Sequence, residues 1–459
     1  MIARYFPAIL TSARYSNKRI FILMSVLIVS LIVDTSLSRI SNLGINQLSN
    51  ATTNLAAFVV IGVVYVIGQY VILGWIGQKN TDGTISHGSS FDVITATVTI
   101  VQYILTAILI LIIFQILTGS YYSTLLLIIS TGISYTLGFA MMGLLAYRFF
   151  SWFRSNRNSV VLSYGLASAM FGVNLIVALI FVSSLLLNRP SEIREFLGAS
   201  SPFFGSASVM NTLQSTYVTC SVVSFLLMWG ATVLLLRYYS QRLGKLKYWV
   251  MVTIPLVYFL SQFVTLYLNI FSTSLGSSPS FFVTLITLIF TVSKPVGGIL
   301  FGLAFWTIAR NIPSDNIARK YLIISAYGFI LLFISEQAIL LTYLAYPAFG
   351  FATVSFMGLA SYLVFKGIYS AAISVSEDSN LRKSIRNFAI KESKLLDSIG
   401  TAQMEQELQK RVLKITESLE ATMIQETGVQ SSLSEDDVKE YLHEVLQEVK
   451  KGKVQNDDK

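Results

Sequence analysis

Between Asn54 and Ser370 the chain returns nine times to an apolar run long enough to cross a bilayer. The runs lie near Asn54 to Gly77, Val93 to Leu117, Tyr121 to Tyr147, Val160 to Leu187 and Ser215 to Leu236. They continue at Tyr248 to Phe271, Phe281 to Ile308, Tyr321 to Tyr346 and Phe351 to Ser370. A helix rises about 1.5 Å per residue and the hydrocarbon core is roughly 30 Å thick, so about 20 apolar residues span it. Nothing soluble needs such a repeat. Ile20 to Val33 is shorter, and it reads as a first span that borrows its flanking residues. The pattern predicts an all-α polytopic membrane bundle of ten spans over residues 20–372.

Basic side chains test that count, because they collect on the cytoplasmic side of successive spans. One set of connectors holds Arg4, Arg14, Lys18 and Arg19, then Lys79, then Arg148, Arg154 and Arg157. It goes on with Arg237, Arg242, Lys245 and Lys247, then Arg310, Arg319 and Lys320. The other set holds only Arg39, Arg189 and Arg194. The alternation predicts that both termini are cytoplasmic in the cell membrane. The formal charge of +9 belongs to the membrane part. Residues 374–459 carry 13 Lys and Arg against 17 Asp and Glu, so the charge sets orientation and does not point to nucleic acid.

Lys294 stands near the middle of the eighth span and Glu336 near the middle of the ninth. Each is expensive alone in hydrocarbon, on the order of 3 kcal/mol for the lysine on insertion scales. Counted from the outer ends of their spans they lie roughly 20 and 15 Å deep, a gap the lysine stem bridges. The two are expected to pair in the membrane, as a fixed helix-register device or as a site for coupled ions. Gly298 and Gly302 follow Lys294 on one face and predict close helix packing, with Pro295 bending the helix, which makes the eighth span the expected inner member of the bundle. In the fifth span Gly165, Ser168, Ala169 and Gly172 form a second small-residue packing face. Gln69, Gln102, Gln115, Asn174, Gln262 and Asn269 are expected to bond between helices, and Pro255 to kink the seventh span.

Outside the spans, residues 1–19 carry apolar side chains at helical spacing beside Arg4 and Arg14, the pattern of a helix lying in the interface. The outer loop from Asp34 to Thr53 contains the acceptor pattern Asn50-Ala51-Thr52, and the loop from Asn188 to Asn211 contains the aromatic turn Pro202-Phe203-Phe204-Gly205. A polar hinge is expected at 373–380 and two coiled-coil-like helices over 381–424, with Gly400 interrupting and Thr401 capping the second. A last amphipathic helix is expected at 434–451, its stripe made of Val438, Tyr441, Leu442, Val445, Leu446 and Val449, followed by a disordered end at 452–459.

Catalysis finds little footing. His87 and His443 are the two histidines, both in cytoplasmic connectors, Cys220 is the single cysteine, and no phosphate-loop, zinc-protease or paired-cysteine motif occurs. No catalytic, cofactor-binding or metal-binding residue is expected. The expected partners are the lipid bilayer and, through the tail, a second copy or another protein. The acidic helical tail with its apolar stripe favours a sensor, receptor or assembly scaffold that couples the bundle to that cytoplasmic tail. The alternatives are a secondary transporter with a Lys294 and Glu336 site, and a structural subunit of a larger membrane complex.

Overall fold

The computed structural model describes residues 17–42, 51–81, 89–119, 121–187, 207–237, 244–268, 289–310, 312–313, 316–343, 346–377 and 394–427. Regular structure among them is helical throughout. The long helices are α1 (Asn17–Asn42), α2 (Ala51–Thr81), α3 (Ser89–Gly119), α4 (Thr124–Ser155), α5 (Ser159–Leu187) and α6 (Ala207–Leu236). They continue with α7 (Lys245–Leu268), α8 (Ser293–Arg310) and α9 (Ile317–Ser335). A 3₁₀ turn (Ala338–Tyr343) separates α9 from the short α10 (Phe351–Ser355), and α11 (Met357–Glu377) and α12 (Lys394–Thr427) complete the order. Nine helices among the described residues are long and apolar enough to cross a membrane. Helix α7 occupies the stretch of the seventh predicted run but is not one of the nine.

Three expectations change. The first span does not end at Val33: α1 runs on to Asn42, and Asp34, Thr35 and Ser38 lie buried in it. The innermost element is the tenth span, Phe351–Glu377, whose apolar window is 100% buried inside the bundle, against 83% for the ninth and 56% for the eighth. Mean hydropathy gives only an indirect sign of this: it falls from 2.6 in the third span, 33% buried, to 1.4 in the tenth, but the eighth span has the same 1.4 at 56% buried. The tenth span is instead marked by small residues at nearly every turn, among them Ala352, Ser355, Gly358, Ser361 and Gly367. Third, the expected bend of the eighth span falls at Val292, and Pro295 lies in the first turn of the helix that follows, where its missing N–H is not needed for an intrahelical bond.

Close backbone approach through glycine holds the centre together. A Cβ on Gly302 would sit 2.6 Å from the Ala326 carbonyl oxygen, and one on Gly298 2.8 Å from Phe333 Cβ, so α8 lies directly on α9. On the other flank of α9, a Cβ on Gly328 would meet the Val364 nitrogen at 2.7 Å. A Cβ on Gly367 would meet the Tyr321 oxygen at 2.7 Å. Helix α9 is therefore gripped between α8 and α11 by two pairs of glycines, of which the sequence reading named only the first. Gly165 and Gly172 pack on Phe149 and Phe139 of α4, with Ser168 buried and Ala169 half-buried beside them.

The tail region differs from its expected layout as well. Residues 373–377, read as part of a hinge, are the last turn of α11, and Val375 is buried there. Gly400 neither interrupts α12 nor leaves Thr401 to cap a new helix. It sits inside one continuous helix against Val375, where the absent Cβ lets α12 approach α11. Leu395, Leu396, Ile399 and Ala402 are buried in this contact, Trp152 Nε1 donates to Gln403 Oε1 at 3.0 Å, and Gln406 Nε2 donates to Ser151 Oγ at 2.8 Å. The first part of the tail is thus docked on the bundle. The interfacial segment 1–16, residues 381–393 and the stripe from Val438 to Val449 lie outside the described residues. So do Asn50, the loop 188–206 and Asn269.

Candidate functional site

Helix α9 stops inside the bundle. Glu336 is its C-cap, with its N–H still bonded to the Leu332 oxygen at 3.0 Å, and Gln337 turns the chain into the 3₁₀ segment. A helix end presents carbonyls without intrahelical partners, and in an apolar interior each needs a donor. The donors come from three neighbours. Tyr135 of α4 donates its hydroxyl to the Ser335 oxygen at 3.1 Å, and Gln337 reaches back to the Ile334 oxygen at 3.4 Å. Lys294 donates from Nζ to the Glu336 carbonyl at 3.0 Å. The same ammonium lies 3.1 Å from Glu336 Oε1, so one lysine serves both the helix end and the carboxylate.

The pair is enclosed. The side chains of Lys294 and Glu336 are 13% and 4% exposed. Asn174 of α5, itself buried, donates its amide nitrogen to Glu336 Oε1, while its Oδ1 has no hydrogen-bond partner among the described residues. The Tyr217 ring lies 6.0 Å from the lysine nitrogen, near the outer reach of a cation–π contact. Arg39 of α1 donates to Gln337 Oε1 at 3.3 Å, which brings a second cation to the break.

A second buried carboxylate faces a helix start. Asp34 accepts from the Gly350 nitrogen at 2.9 Å through Oδ1. Through Oδ2 it accepts from the Thr353 nitrogen at 3.0 Å and the Thr353 hydroxyl at 2.8 Å. Gly350 has φ +91°, the left-handed region glycine adopts without strain, which lets the chain turn into α10 with its first N–H groups aimed at Asp34. Ser38, one turn further along α1, donates to the Leu340 oxygen at 3.1 Å. The α10–α11 junction is satisfied by Ser134 of α4. It accepts from the Gly358 nitrogen at 3.2 Å and lies 3.0 Å from the Val354 oxygen and 3.1 Å from the Ser355 oxygen.

The outcome is one polar layer, in which α1, α4, α5, α8 and two interrupted spans meet. Two cations and two carboxylates share it. Lys294 and Glu336 were legible from their depth. Asp34 and Arg39 were missed because a charge after a short apolar run looks like a loop. A usable signal was present: Ile20, Met24, Leu27, Leu31, Asp34 and Ser38 follow one another at alternating spacings of four and three, a single buried face running past the charge.

Of the other described polar residues named from the sequence, Gln69, Gln102 and Gln262 bond between helices, and Gln115 bonds instead to the connector before α4. Gln69 donates to Thr106, Tyr65 donates to Gln102 at 3.5 Å, Gln115 accepts from the Ser123 nitrogen at 3.0 Å, and Gln262 accepts from Ser293 at 3.1 Å. A separate aromatic cluster gathers around the middle of α11. Lys366 is fully buried there, its Nζ 5.4 Å from the centre of the Phe91 ring and 5.7 Å from that of Tyr362. Phe91, Phe365, Tyr369 and Trp152 stack in sequence, and Arg148 covers Tyr369 at 4.8 Å. Trp152 is the residue that binds Gln403 of α12, so this cluster connects α11 to the tail. Comparison with protein-family models, curated proteins and solved structures gives no match.

Proposed function

We propose that this is a non-catalytic, ten-span protein of the cell membrane with both ends cytoplasmic. It couples the state of a buried polar layer to the helix docked under its bundle, in the manner of a sensor, a receptor or an assembly scaffold. One observation carries the reading. The tenth span is wrapped on all sides, starts at residues held by Asp34 beside the Glu336 break, and finishes against α12 through Val375 and Gly400. A close-packed element of this kind transmits displacement, because protein interiors have little free volume to absorb it. Alternating basic connectors support the orientation, and α7 over the seventh apolar run supports the count of ten.

The test is chemical reactivity at the dock. In a Cys220→Ser background, Ala402→Cys is buried and reacts slowly with a maleimide in membranes. Lys294→Met and Glu336→Gln are expected to speed that reaction about tenfold, equivalent to roughly 1.4 kcal/mol of easier local opening. A rate at Ala402→Cys that stays constant while both variants remain folded removes the coupling.

Ion-coupled transport is the second reading, favoured by a specific feature: chain interruptions at Val292, at Glu336 and Gln337, and at Phe356 surround one ion pair. Its readout is proton movement into proteoliposomes carrying a trapped pH dye. Flux that disappears in Glu336→Gln supports transport, and a tight vesicle with the native protein removes proton transport.

A further inference from the structure

Helix α12 carries two apolar faces in succession. The first, with Leu395, Ile399 and Ala402, is buried against the bundle. The second begins where the first ends. Leu408, Ile415 and Leu419 are 42%, 58% and 58% exposed, and Val412 between them is half-buried. At 100° per residue, Leu408 and Ile415 point roughly 120° to 140° away from Ala402, so the bundle that holds the first face leaves the second uncovered. The spacing of four, three and four is a coiled-coil seam with Leu408 and Ile415 at d positions and Val412 and Leu419 at a positions.

We propose that this seam pairs with the same seam of a second copy of the chain, in parallel and in register. Two features select that occupant. Every copy enters the membrane in the same orientation with α12 fixed to its own bundle, which presents the seams of two copies at one depth. The positions flanking the seam, which choose partners by charge, are Gln409, Arg411, Thr416 and Ser418. In a parallel pair Arg411 faces Thr416 of the second copy and no like charges oppose each other. A seam built to capture a charged foreign helix would carry complementary charges there. Arg411 is the single flanking charge between Leu408 and Leu419, and the other charges of this segment, Lys410, Lys414 and Glu417, lie on the outer positions. The inference does not depend on which face of the membrane α12 occupies, nor on whether the polar layer signals to it.

Single cysteines in the full-length chain, in native membranes and a Cys220→Ser background, test it. Leu408→Cys and Ile415→Cys are expected to give covalent dimers on mild oxidation. Lys414→Cys and Glu417→Cys are expected to give at least tenfold less. Adding Ile415→Asp to Leu408→Cys is expected to abolish the dimer while the maleimide rate at Ala402→Cys stays unchanged, which separates loss of pairing from loss of the dock. Absence of dimer at both seam positions overturns the proposal, as does equal crosslinking at Glu417→Cys. Loss of coupling at Ala402→Cys with seam dimers intact overturns the functional reading alone.

Discussion

Asp34 and Glu336 are two buried carboxylates in one polar layer, and they are neutralised by opposite means. Asp34 lies at a helix start, where free N–H groups and the positive end of the dipole already favour an anion, and it takes three donors from Gly350 and Thr353 without an adjacent cation of its own. Glu336 lies at a helix end, where the dipole is negative and the backbone offers only acceptors. A carboxylate there needs an imported positive charge, and Lys294 supplies it from the start of α8. Helix polarity thus decides which carboxylate requires a salt bridge and which does not.

The comparison breaks first at Lys294. Lys294→Ala leaves Glu336 charged, buried and beside a row of carbonyls, and removing one member of a buried pair is expected to cost about 3–5 kcal/mol. Equilibrium unfolding in bicelles by added SDS measures it. Lys294→Met combined with Glu336→Met is expected to lose clearly less than the sum of the two single changes, since neither charge is then stranded. Additive losses would mean that the two groups act independently and that the helix end, not the pairing, is what the lysine serves.

Neutralising each carboxylate in place sharpens the contrast. Glu336→Gln strands the Lys294 ammonium and is expected to cost about 3 kcal/mol. Asp34→Asn keeps one acceptor oxygen and turns the other into a donor, which costs Gly350 or Thr353 an acceptor but strands no charge, so about 1–2 kcal/mol is expected, the scale of a weakened cap. Equal losses in the same SDS titration would show that burial alone, irrespective of helix polarity, governs both sites. Ser134→Ala, which leaves the Gly358 nitrogen without its acceptor, belongs in the same range at about 1–2 kcal/mol.

How much of this was written in the sequence follows from what hydropathy measures. Apolar length predicts helices, and basic connectors predict their direction, because both follow from the bilayer and not from neighbours. The Lys294 and Glu336 depths were readable for the same reason. Contacts inside the bundle were not. The expected inner span was the eighth, on the strength of Gly298 and Gly302, although Gly328 and Gly367 make approaches just as close on the opposite flank of α9. The break after Ser335 has no proline to announce it. It is held by side chains from α4 and α8 that are remote in sequence, so no local pattern encodes it. Gly400 misled for a related reason: it resembles a helix terminator, but its role is set by Val375 of another helix.

Arg39 carries the smallest expected effect and the finest distinction. Its guanidinium is half-buried, reaches Gln337 and leaves Nε without a hydrogen-bond partner among the described residues. If Glu336 is fully balanced by Lys294, Arg39 acts only through that single neutral bond, and Arg39→Gln is expected to cost no more than about 1 kcal/mol. A loss approaching that of Lys294→Ala would instead place Arg39 in the charge balance of the helix end. The double variant Arg39→Gln with Glu336→Gln separates the two cases. Additivity leaves the lysine as the counter-charge, whereas a coupling above about 1 kcal/mol means that two cations share the Glu336 carboxylate.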